Sequence, residues 1–298
     1  PHYRAAIRTY VQGMDLELLG DDREPDTPLS ALVEEVNEET ACVIVQSPNF
    51  LGQVETLDTL KEAIAARDTR TLLAVVTNPL SLGLFKPPGA YGADIVLGEG
   101  QPLGLGLNYG GPYLGFYATR DRYVRQVSGR LVGKTVDVEG KEGFVMTLTT
   151  REQHIRRERA TSNICTNQGL MALAATVYLS ALGRHGLREV AELNYHKAHY
   201  AADQIDAVPG FAVDRDRPFF NEFVVRCPAP VRQINHFLLN EHPAGPIIGG
   251  YDLSQTYPQL DPAMLVAVTE MNTRDEIDQL TDALHRFADE TKRQGGSE

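Results

Sequence analysis

The sequence predicts an α/β protein, with a large domain on a mostly parallel sheet followed by a small α+β domain. Three observations predict it. Apolar runs at 41–46, 71–76 and 93–97 have the unbroken character of strands buried on both faces. Helical patterns stand before and between the first runs, so the strands run parallel through crossovers. Beyond about residue 205 the composition shifts to short strands and helices of α+β character. A domain boundary is expected within 185–205, dividing 1–195 from 196–298.

In order, residues 3–12 read as a helix and 16–19 as a short strand. Asp26-Thr27-Pro28 opens a helix to about residue 39, with a capping residue and a proline in its first turn. A helix over 57–67 separates the first two buried strands, and 114–118 reads as another strand. Residues 120–150 are irregular, with hairpin turns at Ser128-Gly129 and Glu139-Gly140. Excursions of this length are functional or interfacial. Helices follow over 167–182 and 187–205. A strand over 221–226 puts Phe223 and Val225 on one side, and a helix spans 231–239. A turn-rich stretch over 245–257, a strand over 264–268 and a helix over 274–291 complete the chain.

The 298 residues are 42% hydrophobic, enough for a sizeable core. A formal net charge of -12 argues against wholesale nucleic-acid binding. No apolar run is long enough to span a bilayer, so no membrane association is expected. Pro1-His2-Tyr3-Arg4 leads into a polar amphipathic segment, unlike a signal peptide. The first residue is not Met, so the chain is expected to begin inside a longer one. Cys42, Cys165 and Cys227 show neither metal-ligand nor disulfide spacing, and a reducing, cytoplasmic setting is expected.

Chemistry is expected beyond the carboxyl ends of the parallel strands, at 47–50, 77–79 and 98–104. The glycines from 98 to 115 give GxGxxxG rather than the GxGxxG of a dinucleotide site, and Pro102 would spoil a helix there. They predict close backbone approach to a ligand or a partner chain. A second centre is basic: Arg151, Arg156, Arg157 and Arg159 crowd together beside His154, offset by Glu152 and Glu158. Thr161-Ser162-Asn163 follow and can cap the next helix, whose open N–H groups with nearby guanidinium groups suit an anion, phosphate above all. The plainer reading is a capped helix after a solvated basic turn. Cys165 is either a thiol favoured by a helix start or a buried small residue. His196 and His199 are three apart on a helix without an obvious third ligand, and no metal site is expected. Asn49 and Phe50 are candidates to line a vestigial pocket, with core packing the alternative for Phe50, and Phe219 and Phe220 are expected in the small-domain core.

Several motifs carry a family resemblance. They are Gly92-Ala93-Asp94-Ile95-Val96, Gly110-Gly111-Pro112, Gly129-Arg130-Leu131-Val132-Gly133 and, above all, TREQHIRRERATSNICTNQ over 150–168. The likeness extends through Phe219-Phe220-Asn221-Glu222-Phe223 and Val266-Ala267-Val268-Thr269-Glu270. The chain resembles the P-protein family of the glycine cleavage system, specifically subunit 1 of two-subunit glycine decarboxylase. The resemblance implies a pyridoxal-phosphate-dependent transferase fold of the type I, aminotransferase-like class, its large domain lacking an N-terminal part. It also implies that glycine loses CO2 on pyridoxal phosphate and passes its aminomethyl group to the lipoyl H-protein.

Two departures from the family pattern divide the labour. Gln101-Pro102 stand where the catalytic subunit carries the imine-forming lysine, and Lys86 and Lys134 are out of register. Asn78 stands where the fold carries an aspartate for the pyridine nitrogen. The resemblance therefore implies that subunit 2 binds the cofactor covalently and that this chain supplies no catalytic residue. Thr161, Ser162 and Asn163 would complete the phosphate site on subunit 2. Arg151, His154 and Arg156 would order that loop or line the H-protein approach. The alternatives are a regulatory or scaffold protein that kept the fold, and an independent pyridoxal-phosphate enzyme using Lys86 or Lys134.

Overall fold

A computed structural model describes residues 1–25, 27–160, 168–243 and 245–295. Helices α1 (His2–Val11) and α2 (Leu29–Glu34) lead into β1 (Cys42–Gln46). Helix α3 (Leu60–Arg67) precedes β2 (Leu72–Val76), and two 3-10 turns lead to β3 (Ile95–Glu99) and then β4 (Gly115–Thr119). These strands form one sheet in the order β1-β2-β3-β4. β1, β2 and β3 are parallel, with Ile44 opposite Ala74 and Ala74 opposite Ile95, while β4 runs antiparallel to β3. The α3 crossover allows the first parallel pair.

β2 meets its expectation fully: Leu73 and Val75 have no exposed surface. β1 does not. Val43 and Val45 pack with Val33, Leu60 and Ile64 on the side of α2 and α3. Cys42 and Ile44 are exposed, because among the described residues β1 ends the sheet and only one of its faces is covered. Residues 16–19 form no strand; Leu16, Leu18 and Leu19 are exposed and pair with no neighbouring strand. α2 starts one residue after Pro28, with no side chain capping it, and ends at Glu34 rather than near residue 39. Asn37 diverts the backbone there: its side-chain oxygen accepts from Glu39 N at 2.8 Å, and its own N–H donates to Thr40 Oγ1 at 3.0 Å.

A hairpin of β5 (Leu131–Val136) and β6 (Glu142–Thr147) follows. Its turn lies where Glu139-Gly140 predicted it: Asp137 accepts from Glu139 N and Lys141 N, each at 2.9 Å, and Gly140 has φ 82°. Ser128-Gly129 instead precedes β5 and joins no two strands. Helix α4 (Gln153–Arg156) lies between 3-10 turns, and α5 (Gly169–Asp206) is interrupted at Gly183, with φ 61° and ψ -170°. That break separates the two helices the pattern predicts. The first part carries no charged residue up to Gly183, yet Leu170, Leu173 and Val177 are exposed.

The second part of α5 runs through residues 195 and 196 and covers a second sheet. That sheet joins β7 (Ala212–Val213), β8 (Glu222–Arg226), β10 (Ala263–Ala267) and β9 (Tyr251–Asp252), all antiparallel, in the order β7-β8-β10-β9. Phe223 and Val225, as predicted, face one core with α5, α6 (Val231–Asn240) and α7 (Arg274–Gly295). Val224 and Leu265 on the reverse face meet Leu51 and Phe50 from the loop after β1. Phe219 joins the small-domain core, but Phe220 packs with Leu80, Leu103 and Ala175 of the large-sheet side. Among the described residues, no helix is long and apolar enough to cross a membrane.

Candidate functional site at the carboxyl edge of the parallel sheet

The three strand ends converge, but their polar groups are satisfied by their own chain. After β1, Asn49 Oδ1 accepts from Leu51 N at 2.9 Å and Gln53 N at 3.1 Å, while its amide donates to Glu55 at 2.8 Å. Arg217 closes on Glu55 from the small-domain side at 3.4 Å. Phe50 meets the rings of His2, Tyr251 and Tyr257 edge-on. Phe50 also packs against the Leu51, Val224 and Leu265 cluster, the packing alternative foreseen for it.

After β2, Asn78 Oδ1 accepts from Leu80 N at 2.9 Å, folding the side chain back on its own turn. After β3, the half-buried Glu99 carboxylate accepts from Gln101 N at 3.0 Å and Leu114 N at 2.8 Å. Gln101 donates its amide to Leu105 O at 2.6 Å, and Leu103 and Leu105 are buried. This small loop occupies the place the family resemblance gives to a lysine. The sequence offered one signal for it: a lone carboxylate, Glu99, inside a run of glycines. Helix α1 lies over the same edge: His2 reaches Phe50, and burial first, then the Glu99 charge, pushes the Tyr3 phenol up.

Two of these glycines are pressed against the chain itself, while Gly115 has open space around it. A Cβ on Gly98 would stand 2.2 Å from Thr77 O, and one on Gly104 (φ +81°) 2.6 Å from the Tyr178 ring. At the opposite end of the sheet, Asp94 of the family motif is fully enclosed. It accepts from Lys61 at 2.7 Å, Leu73 N at 3.0 Å and Arg122 at 2.7 Å, with Arg120 at 3.6 Å. Burial opposes the charge of Asp94, but those donors outweigh it and hold the carboxyl below its ordinary range. Sequence reading saw Asp94 only as a motif letter, since its partners lie far away in the chain.

Four of the six lysines are occupied as well. Lys61 also donates to Thr71 O at 2.9 Å, and Lys197 binds Glu270 O and Asn272 O. Lys86 sits 4.0 Å over the Tyr91 ring, and Lys134 pairs with Glu142 at 2.7 Å on the hairpin. His199 stacks on Phe219, ring centroids 4.0 Å apart, and lies against Tyr195. It therefore makes no metal pair with His196, and the described residues hold no group of three His, Cys, Asp or Glu fit for a metal.

Of the basic centre, His154, Arg156, Arg157 and Arg159 are exposed on α4 and the turn after it. Arg159 lies 3.9 Å from Glu158, with both side chains exposed. Arg151 closes a 3-10 turn, and its side chain lies outside the description. Thr161, Ser162, Asn163 and Cys165 lie outside the described residues.

Residues 1–284 match the family model described as glycine cleavage system P-protein. A "probable glycine dehydrogenase (decarboxylating) subunit 1" of Thermomicrobium roseum is 52% identical over 287 residues, covering 95% of this chain and 62% of that protein. The protein of the same description from Bacillus cereus (strain AH187) is 50% identical over 285 residues, with the same coverage. The chain thus spans 62% of the length of these curated relatives. A crystal structure of glycine decarboxylase (P-protein) of the glycine cleavage system, in inhibitor-bound form, superposes with a TM-score of 0.84 at 42% identity, over 96% of this chain and 63% of that one. A NifS-like protein (TM-score 0.59, 15% identity, 88% of this chain and 65% of that one) shares the fold alone. So does an alanine–glyoxylate aminotransferase from Nostoc (0.55, 18%, 83% and 61%). The fold is the aminotransferase-like one of pyridoxal-phosphate-dependent enzymes, as the resemblance implied.

Proposed function

Because the chain belongs to the glycine cleavage system P-protein family, we propose that it acts as subunit 1 of a two-subunit glycine dehydrogenase (decarboxylating). It completes the active site of a partner subunit and carries none of its own. The observation that supports this most is the closed loop after β3, where Gln101 is bonded to Leu105 and no amine is present. Pyridoxal phosphate does not fit this chain's strand ends. Asn78 is spent on Leu80 N, and Glu99 accepts two backbone N–H groups. In this reading glycine is decarboxylated on the partner subunit, whose covalently held cofactor supplies the electron sink. The aminomethyl group then passes to the lipoyl H-protein.

Thr161, Ser162 and Asn163 reach the phosphate on the partner through their hydroxyl and amide groups; they do not cap the next helix, which begins only at Gly169 after Gln168. Arg151, His154 and Arg156 order that loop or line the H-protein approach; the exposure of His154 and Arg156 supports this role. Residues 1–195 serve as the large domain and 196–298 as the small one.

Purified chain, partner subunit and H-protein, assayed for glycine–bicarbonate exchange, test the reading. Exchange that requires this chain supports it, and equal exchange without it overturns it. Thr161→Ala in the complex should weaken pyridoxal phosphate binding by about tenfold, the worth of one good hydrogen bond to a charged group. Unchanged affinity removes that residue's role.

A further inference from the structure

Helix α5 is two helices unequally held. The break at Gly183, with φ 61° and ψ -170°, uses a backbone region that essentially only glycine adopts. A Cβ there would meet nothing within 4 Å, so packing does not force the break. Of the seven buried residues of α5, six, from Ala191 to Ile205, lie after the break, and Ala175 alone lies before it. The first part, residues 169–182, therefore rests on one small patch. Ala175 packs with Leu80, Leu103 and Phe220, and Tyr178 is half-buried against the same cluster.

The patch is the closed loop beyond β3. The Tyr178 ring lies on Gly104, where a Cβ would stand 2.6 Å from Cδ2 and 2.7 Å from Cγ. Leu103 and Gly104 lie between Gln101 and Leu105, which close on each other twice: Leu105 N donates to Gln101 O at 3.1 Å, and Gln101 Nε2 donates to Leu105 O at 2.6 Å. Glu270 stands on the other side of Tyr178: burial first, then the Glu270 charge, pushes the phenol up. Glu270 also accepts from Asn194, in the second part of α5, at 2.9 Å. An element held by one patch and joined through a glycine opens locally before the rest of the fold. Since each half of the contact supports the other, releasing one loosens both.

We propose that the first part of α5 is a pivoting arm, with Gly183 as its pivot and the contact of Tyr178 with Gly104 as its latch, so that the closed loop beyond β3 sets the position of the arm. A change at the carboxyl edge of the parallel sheet is thereby relayed to a helix that carries no charged residue up to Gly183. The inference concerns this chain alone, and it stands or falls apart from the two-subunit reading.

Amide hydrogen exchange of the full chain, read by mass spectrometry, tests it. Tyr178→Ala should speed exchange over 173–182 and in the 101–105 loop by about tenfold or more, while 191–205 keeps its wild-type rates. Tyr178→Phe keeps the ring on Gly104 and should match wild type. Gly183→Ala disfavours the break, and its methyl meets no atom of the loop. It should nonetheless speed exchange in the 101–105 loop by a similar factor, which a purely local packing role for Tyr178 does not predict. Wild-type loop rates in either Tyr178→Ala or Gly183→Ala overturn the proposal. So does an acceleration that runs equally through 191–205, because that marks a general loss of stability rather than release of the arm.

Discussion

Gln101 donates its side-chain amide to the carbonyl of Leu105 at 2.6 Å, sealing the loop beyond β3. The loop buries Leu103 and Leu105 and leaves Glu99 holding two backbone N–H groups. Gln101→Ala removes the seal and frees the Leu105 carbonyl. We expect a loss of about 1–2 kcal/mol in urea unfolding, the cost of an unmade bond to a partly buried acceptor. A stability equal to wild type would show the loop is held by its leucines alone.

Asp94 ties the other end of the sheet, and its removal should cost more. Asp94→Asn leaves Lys61 and Arg122 facing a neutral amide. The buried side of this pair predicts about 2–4 kcal/mol, reduced from the fully enclosed case because both cations reach solvent. The folded pKa lies below the ordinary carboxylate value. Its contribution is therefore present above about pH 3.9 and is lost as pH falls through the folded value. Asp94→Asn should flatten that acid limb in pH-dependent unfolding; an unchanged limb would contradict the assignment.

His199 supplies a second pH signature. Burial, only partly offset by the contact with Phe219 O, holds its imidazole below the usual value. Arg215 and His196 push the same way, and Asp203 opposes them. The unfolded chain then binds the proton more readily, so stability falls as pH drops below about 6.5. His199→Phe keeps a ring against Phe219 and Tyr195 but cannot be protonated. Its urea midpoint should change less than that of wild type between pH 7.5 and 5.5; an equal change would assign the dependence elsewhere.

Gly52 marks where the two sheets meet. Its φ is +80°, and a Cβ would stand 1.9 Å from Glu222 O. Phe220 N donates to Gly52 O at 3.2 Å beside it. Gly52→Ala should cost about 3 kcal/mol or more, from the left-handed backbone and the clash together. Thermal melting reads it directly, and a shift under 2 °C would mean the loop can move aside.

What the sequence disclosed follows from how local each feature is. β2 is apolar and buried, so its run of Leu and Val names it at once. β1 has the same composition but half the burial, because composition does not say which strand ends a sheet. The break at Gly183 was legible as a gap in helical periodicity, and the Asp137–Lys141 turn as Gly chemistry. Residues 16–19 misled because leucines alternate there with acids, yet no strand edge receives them. The enclosure of Asp94, and α1 lying over the strand ends, join residues tens of positions apart that no local pattern links.

The most direct test of the central claim is borohydride trapping. The chain alone, incubated with pyridoxal phosphate, reduced and mapped by mass spectrometry, should show no pyridoxyl-lysine above a denatured control. With the second subunit present, the adduct should appear on that subunit only. A stoichiometric adduct on Lys86, Lys134 or any other lysine of this chain in isolation would contradict the account.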